Sequence, residues 1–100
     1  METKFNSFKS YLKNYKKYIL LRSKDPDDNI ERYIILENLN TQFKKLYMTN
    51  DDGVLIKKKE DFFFKLSFRN FSKWFVFDSD NLEDIFSKFE LLKSTEKYNI

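Results

Sequence analysis

The stretch Ile30-Glu31-Arg32-Tyr33-Ile34-Ile35-Leu36-Glu37 decides the fold, because it reads either as a buried strand or as the start of a helix. As a helix, Asp28 and Glu31 form a capping box, and Leu36, Leu39, Phe43 and Leu46 recur at helical spacing. Against that, Asn38 and Asn40 are poor interior helix residues. Ile30, Tyr33 and Ile34 would also fall on the face opposite the stripe. As a strand, the β-branched and aromatic content suits a pleated surface covered on both sides. The strand is the better reading, and the turn cluster Lys24-Asp25-Pro26-Asp27-Asp28-Asn29 separates it from what precedes.

Downstream, Asn50-Asp51-Asp52-Gly53 between 42–48 and 54–58 predicts a hairpin, since Asp-Gly supplies the positive φ of a tight turn. Phe62, Phe64, Leu66 and Phe68 alternate with Phe63, Lys65 and Ser67, which predicts a strand over 62–68. Arg69-Asn70 then turns the chain into a strand over 71–77, with Trp74 and Val76 opposite Phe75 and Phe77. Apolar residues on both its faces imply a central position or cover on both sides. Asp80-Asn81-Leu82-Glu83 reads as a capping box that opens a helix over about 81–92, with Leu82, Ile85, Phe86, Phe89 and Leu92 inward.

Upstream, Phe5, Phe8, Leu12, Tyr15 and Ile19 share one helical face and predict an amphipathic helix over about 3–19, with Thr3 as its cap. Residues 18–23 either continue that helix or form a short strand, because Leu20 and Leu21 leave its apolar face. The expected architecture is one α+β domain over 1–100: a helix, four to six mostly antiparallel strands and a closing helix. Phe64 and Phe89 are expected in its core.

The chain has no histidine, no cysteine, one glycine and 12 phenylalanines among 100 residues. Disulfides and thiolate metal sites are therefore impossible. A nucleophile–base–orienter triad would have to use Ser and Lys or paired carboxylates. The acidic pairs Asp27/Asp28, Asp51/Asp52, Glu60/Asp61, Asp78/Asp80 and Glu83/Asp84 sit in expected turns or at a helix start. There they serve as caps and solvated loops rather than as buried acids of raised pKa. The expectation is a protein without catalytic, cofactor or metal residues. The Met1–Lys4 start lacks the order of a signal peptide and no apolar run spans a bilayer, so a cytoplasmic protein is expected.

The 16 lysines against three arginines follow from AT-rich codon usage, because Phe, Tyr, Met, Ile, Asn and Lys make up 52 residues while Gly, Ala, Arg and Pro make up five. Lysine number alone therefore says little, but lysine clustering says more. Lys57-Lys58-Lys59 with Lys44 and Lys45 form the densest basic group. With Arg69 and Lys73 they make a candidate partner-binding face, and Trp74 can supply an aromatic anchor. Nucleic acid is the alternative partner, by aromatic stacking above a basic surface. The C-terminal acids Asp78, Asp80, Glu83, Asp84 and Glu90 form the competing charged face.

Residues 61–92 resemble the end of a pleckstrin-homology domain in element order: two aromatic strands, then an amphipathic helix. The resemblance implies lipid or peptide binding through the loop at Lys24–Asn29, which here is acidic. The small, cofactor-free, AT-rich chain is also similar to the inhibitor proteins of phages and mobile elements, of the anti-CRISPR type. That likeness implies a rigid surface that occupies the functional site of a host nucleic-acid-handling enzyme. From the residues, the purified protein is expected to turn over no substrate by itself. A hydrolase or nuclease activity that disappears on substitution of a single Asp or Glu would contradict this.

Overall fold

The pairing of residues 31–38 with residues 18–24 organises the chain. The computed structural model describes residues 14–24, 30–39, 43–58 and 68–98. Its elements are β1 (Tyr18–Lys24), β2 (Glu31–Asn38), β3 (Phe43–Thr49), β4 (Leu55–Lys57), α1 (Phe68–Trp74), β5 (Phe75–Ser79) and α2 (Leu82–Tyr98). The strands form an antiparallel sheet in the order β4-β3-β2-β1-β5. The first four make a meander, and the chain then crosses to the far edge to place β5 beside β1.

β1 and β2 pair in unbroken register from Tyr18↔Glu37 to Lys24↔Glu31. Residues opposite one another share a face. Ile19↔Leu36 and Leu21↔Ile34 therefore point to one side and Leu20↔Ile35 to the other, and all six are buried. On the first side they pack with Phe43 and with Phe71 of α1; on the second with Tyr33 and with Ile85 and Phe89 of α2. Phe71 stacks on Phe43 at 5.3 Å and meets Tyr15 edge-on at 4.8 Å, while Tyr33 meets Phe89 edge-on at 5.2 Å. The inward stripe expected for the closing helix is present in full, since Leu82, Phe86 and Leu92 pack around Ile85 and Phe89.

β5 is an edge strand covered on both faces. Its register with β1 shifts between Leu20 and Leu21, so that Phe77 and Phe75 take those partners and Val76 is the extra residue. The bulge lets Val76 and Phe77 both join the α2-side core while Phe75 joins the other. The hairpin turn forms as expected. Gly53 adopts φ 80°, and the Asn50 carboxamide accepts from the N–H groups of Asp52 (2.9 Å) and Val54 (3.0 Å). Lys93 of α2 donates to the Gly53 carbonyl at 2.8 Å, fixing the turn against the helix.

The sequence expectation differs from the structure at five places. Residues 3–13 of the expected first helix lie outside the described residues. Its end is not helical, because 14–17 form a turn and Tyr18 and Ile19 begin β1. The N–H groups of Lys16 and Lys17 donate to Asp78 and Asp80, each at 3.0 Å, instead of closing helical turns. Buried Asn38 holds the same bend, donating its backbone N–H to the Lys17 carbonyl at 2.7 Å. The consecutive burial of Ile19, Leu20 and Leu21 needs cover on two opposite sides, which a sheet with a helix on each face supplies.

The expected strand over 71–77 is also corrected. Phe71–Trp74 end α1 and the strand is Phe75–Ser79, because the 71, 74, 75 spacing sets three rings on one core. Of the expected strand 62–68, Phe68 is the first residue of α1, and the rest, with Phe64, lies outside the described residues. The cap of α2 is Asn81, one residue later than expected. Its carboxamide accepts from the Glu83 N–H at 3.0 Å. The Asp84 carboxylate accepts from the Ser79 hydroxyl, whose oxygen accepts from the Asn81 N–H, a box closed through a relay. The helix then runs past the expected 92 to Tyr98.

Among the described residues, Phe71 and Phe89 are the largest fully covered side chains, one on each side of the sheet. Replacing either with Ala should cost about 3–5 kcal/mol, a large share of the stability of a domain this size. Urea melts measure it, and a wild-type midpoint for either variant would contradict the layer assigned to that ring.

Candidate functional site: a basic groove beside Trp74

α1 lies across the side of the sheet that carries Ile19, Leu21 and Ile34, anchored by Phe71 with no exposed surface. Anchoring at Phe71 leaves Asn70, Lys73 and Trp74 along the helix border that faces one end of the sheet. That end is made by the last residues of β1 and the first of β2. Between them is a cavity of about 700 Å³. Its sheet side comes from Ser23, Ile30, Arg32 and Met48, its helix side from Asn70, Lys73 and Trp74, and Lys24 closes one end.

Among the described lining residues, the floor is apolar and the rim is cationic. Trp74 and Met48 are half-buried and pack against the α1-side core, and Ile30 is exposed beside them. Ser23 and Arg32 are cross-strand partners, and the Ser23 hydroxyl donates to the Arg32 carbonyl at 3.3 Å. Arg32 Nη2 meets Asp51 Oδ1 of the hairpin turn at 2.8 Å, in a pair whose carboxylate is 78% exposed. Lys24 and Lys73 are exposed. Arg22 is turned to the other side: it pairs with Glu31 at 2.7 Å and lies over the Tyr33 ring.

Of the candidate residues from sequence, the groove contains Lys73 and Trp74. Arg69 is exposed one helical turn before Lys73. The lysines of β3 and β4 do not share one face. Lys44 opposes Glu37 and Lys57 opposes Tyr47, which places both on the α2 side; Lys45 opposes Leu36 on the α1 side, toward the Asn38 end and away from the groove. The alternation of neighbouring strand residues separates Lys44 from Lys45. Lys58 follows β4 with its N–H on the Leu46 carbonyl at 2.8 Å. Lys59 lies outside the described residues.

Lys24, Ile30, Arg32 and Met48 had no signal in the sequence, because they meet only through the strand order. The competing acidic face is largely committed to architecture. Asp78 and Asp80 hold the bend before β1, and Asp84 closes the helix cap. Glu83 and Glu90 remain exposed on α2. Among the described residues, no group of three or more acidic side chains is placed to hold a metal ion, and no helix is long and apolar enough to cross a membrane.

No protein family, curated protein or solved structure matches this chain.

Trp74 is the single tryptophan, so its emission reports on the groove alone. Surrounded by Arg32, Lys73 and Lys24, it should be quenched more strongly by iodide than by caesium at low ionic strength, and Lys73→Glu should narrow the difference. Equal quenching by the two ions would contradict a cationic rim.

Proposed function

We propose that this chain is a non-enzymatic protein-binding module whose contact surface is the groove between α1 and the adjoining end of β1 and β2. One observation carries the reading: a half-buried Trp74 stands on an apolar floor within a rim of Arg32, Lys73 and Lys24. Tryptophan and arginine are the residue types that dominate interface energetics when they sit in a pocket that excludes water. The likeness to small inhibitors of the anti-CRISPR type supports a host nucleic-acid-handling enzyme as the partner, with occlusion of its working surface as the mode of action.

Single-stranded nucleic acid is the second reading, favoured by the placing of Trp74 beside the same cations. Proteins that grip a single strand stack successive bases on several rings along a basic track. Among the described residues the groove offers one ring, and the other apolar surface there is Ile30 and Met48, which suits an aliphatic or aromatic side chain better than a base series. Protein contact therefore ranks first.

The test uses a tagged chain expressed in its source cells. Lys73→Glu with Arg69→Glu should release the protein that co-purifies with the wild type, whereas Lys44→Glu with Lys57→Glu on the other side of the sheet should not. Loss through the second pair alone would move the contact surface to the α2 side. A salt-sensitive shift of a labelled single-stranded oligonucleotide, with no protein retained, would replace the first reading with the second.

A further inference from the structure

Arg32 of the groove already holds a carboxylate of the chain's own. Asp51, at the tip of the β3–β4 hairpin, reaches Arg32 at 2.8 Å. Exposed ion pairs of this kind contribute little net stability, so the hairpin does not need this bond to form. The turn is held independently by the Asn50 carboxamide, the positive φ of Gly53 and the Lys93 ammonium. Asp51 is therefore replaceable at Arg32, and what it shows is where a carboxylate binds.

The apolar floor extends beyond the cavity on the same side. Ile56 lies directly across β3–β4 from Met48 and is 42% exposed, and Ile30 is 37% exposed. Aliphatic surface next to guanidinium and ammonium groups is complementary to a segment that carries carboxylates around one large apolar side chain. Resting on the protein-contact reading above, we propose that the groove takes an acidic peptide segment of the partner. One carboxylate of that segment displaces Asp51 from Arg32, a second lies at Lys73, and an apolar side chain sits against Trp74, Met48 and Ile30.

Asp51 then acts as an internal competitor, and this gives the proposal a signature that general basicity lacks. Removing the Asp51 charge should strengthen binding, although it breaks a bond seen in the free protein.

The experiment titrates the full chain with tryptophan-free peptides and follows Trp74 emission. The first peptide places Leu-Phe between two glutamates on each side; the second replaces every Glu with Gln; the third replaces Leu-Phe with Ala-Ala. A single-stranded oligothymidine is the fourth titrant. Saturable change is expected with the first peptide, and affinity at least about tenfold weaker with the second and third. Arg32→Gln and, independently, Lys73→Gln should each weaken the first peptide by about tenfold, as loss of a charge-assisted bond does. Asp51→Asn should tighten it several-fold. Circular dichroism confirms that each variant is folded.

Equal binding of the Glu and Gln peptides overturns the proposal, as does an Asp51→Asn variant that binds no better than wild type. Tighter binding of the oligothymidine overturns it in favour of nucleic acid. If no titrant moves the emission while the Arg69 and Lys73 variant still loses the co-purified protein, the acidic-segment inference falls and the protein-contact reading stands.

Discussion

β1 and β2 place Ile19, Leu20 and Leu21 against Leu36, Ile35 and Ile34, and a strand pair that is apolar on both faces is insoluble unless both faces are covered. The remaining elements follow from that constraint. α1 brings Phe71 to one side, α2 brings Ile85 and Phe89 to the other, and β5 shields the free edge of β1 with a bulge that feeds both cores. Burial of the six aliphatic side chains is worth roughly 10 kcal/mol in transfer terms, comparable with the whole net stability of a domain this size. The polar bonds at the start of β1 are secondary to it. Asp78, Asp80 and Asn38 fix where the strand begins, once burial has made it a strand.

The legible parts of the sequence are those where one local signal dominates. β2 could be read from its β-branched and aromatic content, the β3–β4 hairpin from Asp-Gly, and α2 from its five-residue apolar stripe. β1 was legible only as one of two readings of residues 18–23, because a strand covered on both faces has no alternation. The helical spacing of Phe5, Phe8 and Leu12 also extends by coincidence to Tyr15 and Ile19. The α1–β5 junction was hidden because Phe71-Ser72-Lys73-Trp74-Phe75 carries apolar residues compatible with either period. The 71, 74, 75 spacing is the clue to a helix there, and the strand reading over 71–77 rests on Trp74 and Val76 lying opposite Phe75 and Phe77. Neighbouring Asp80 and Asn81 are both good caps, so a shift of one residue there could not be resolved from propensity.

The groove was half legible. Lys73 and Trp74 stand out as a cation beside the only tryptophan, but their neighbours come from β1, β2 and β3, up to 50 residues away along the chain. Nothing in their spacing announces the meeting. It depends on α1 crossing the same side of the sheet that Ser23, Arg32 and Met48 face. The lysine cluster had the opposite fate: clear in sequence, its members Lys44, Lys45 and Lys57 are divided by strand alternation between the two sides of the sheet. Of the competing acidic face, Asp78, Asp80 and Asp84 are used at a bend and a helix cap, while Glu83 and Glu90 stay exposed. In the groove, by contrast, apolar surface and positive charge coincide.

Amide hydrogen exchange tests the central claim, the doubly covered β1–β2 pair, most directly. The amides of Leu20, Leu21, Ile35 and Leu36 should be the slowest in the chain, exchanging only through global unfolding and responding to denaturant with the full unfolding slope. Turn amides such as Asp51 should exchange far faster. If residues 18–24 exchange as quickly as the hairpin turn while α2 remains protected, β1 is not the core strand described and the account of this fold fails.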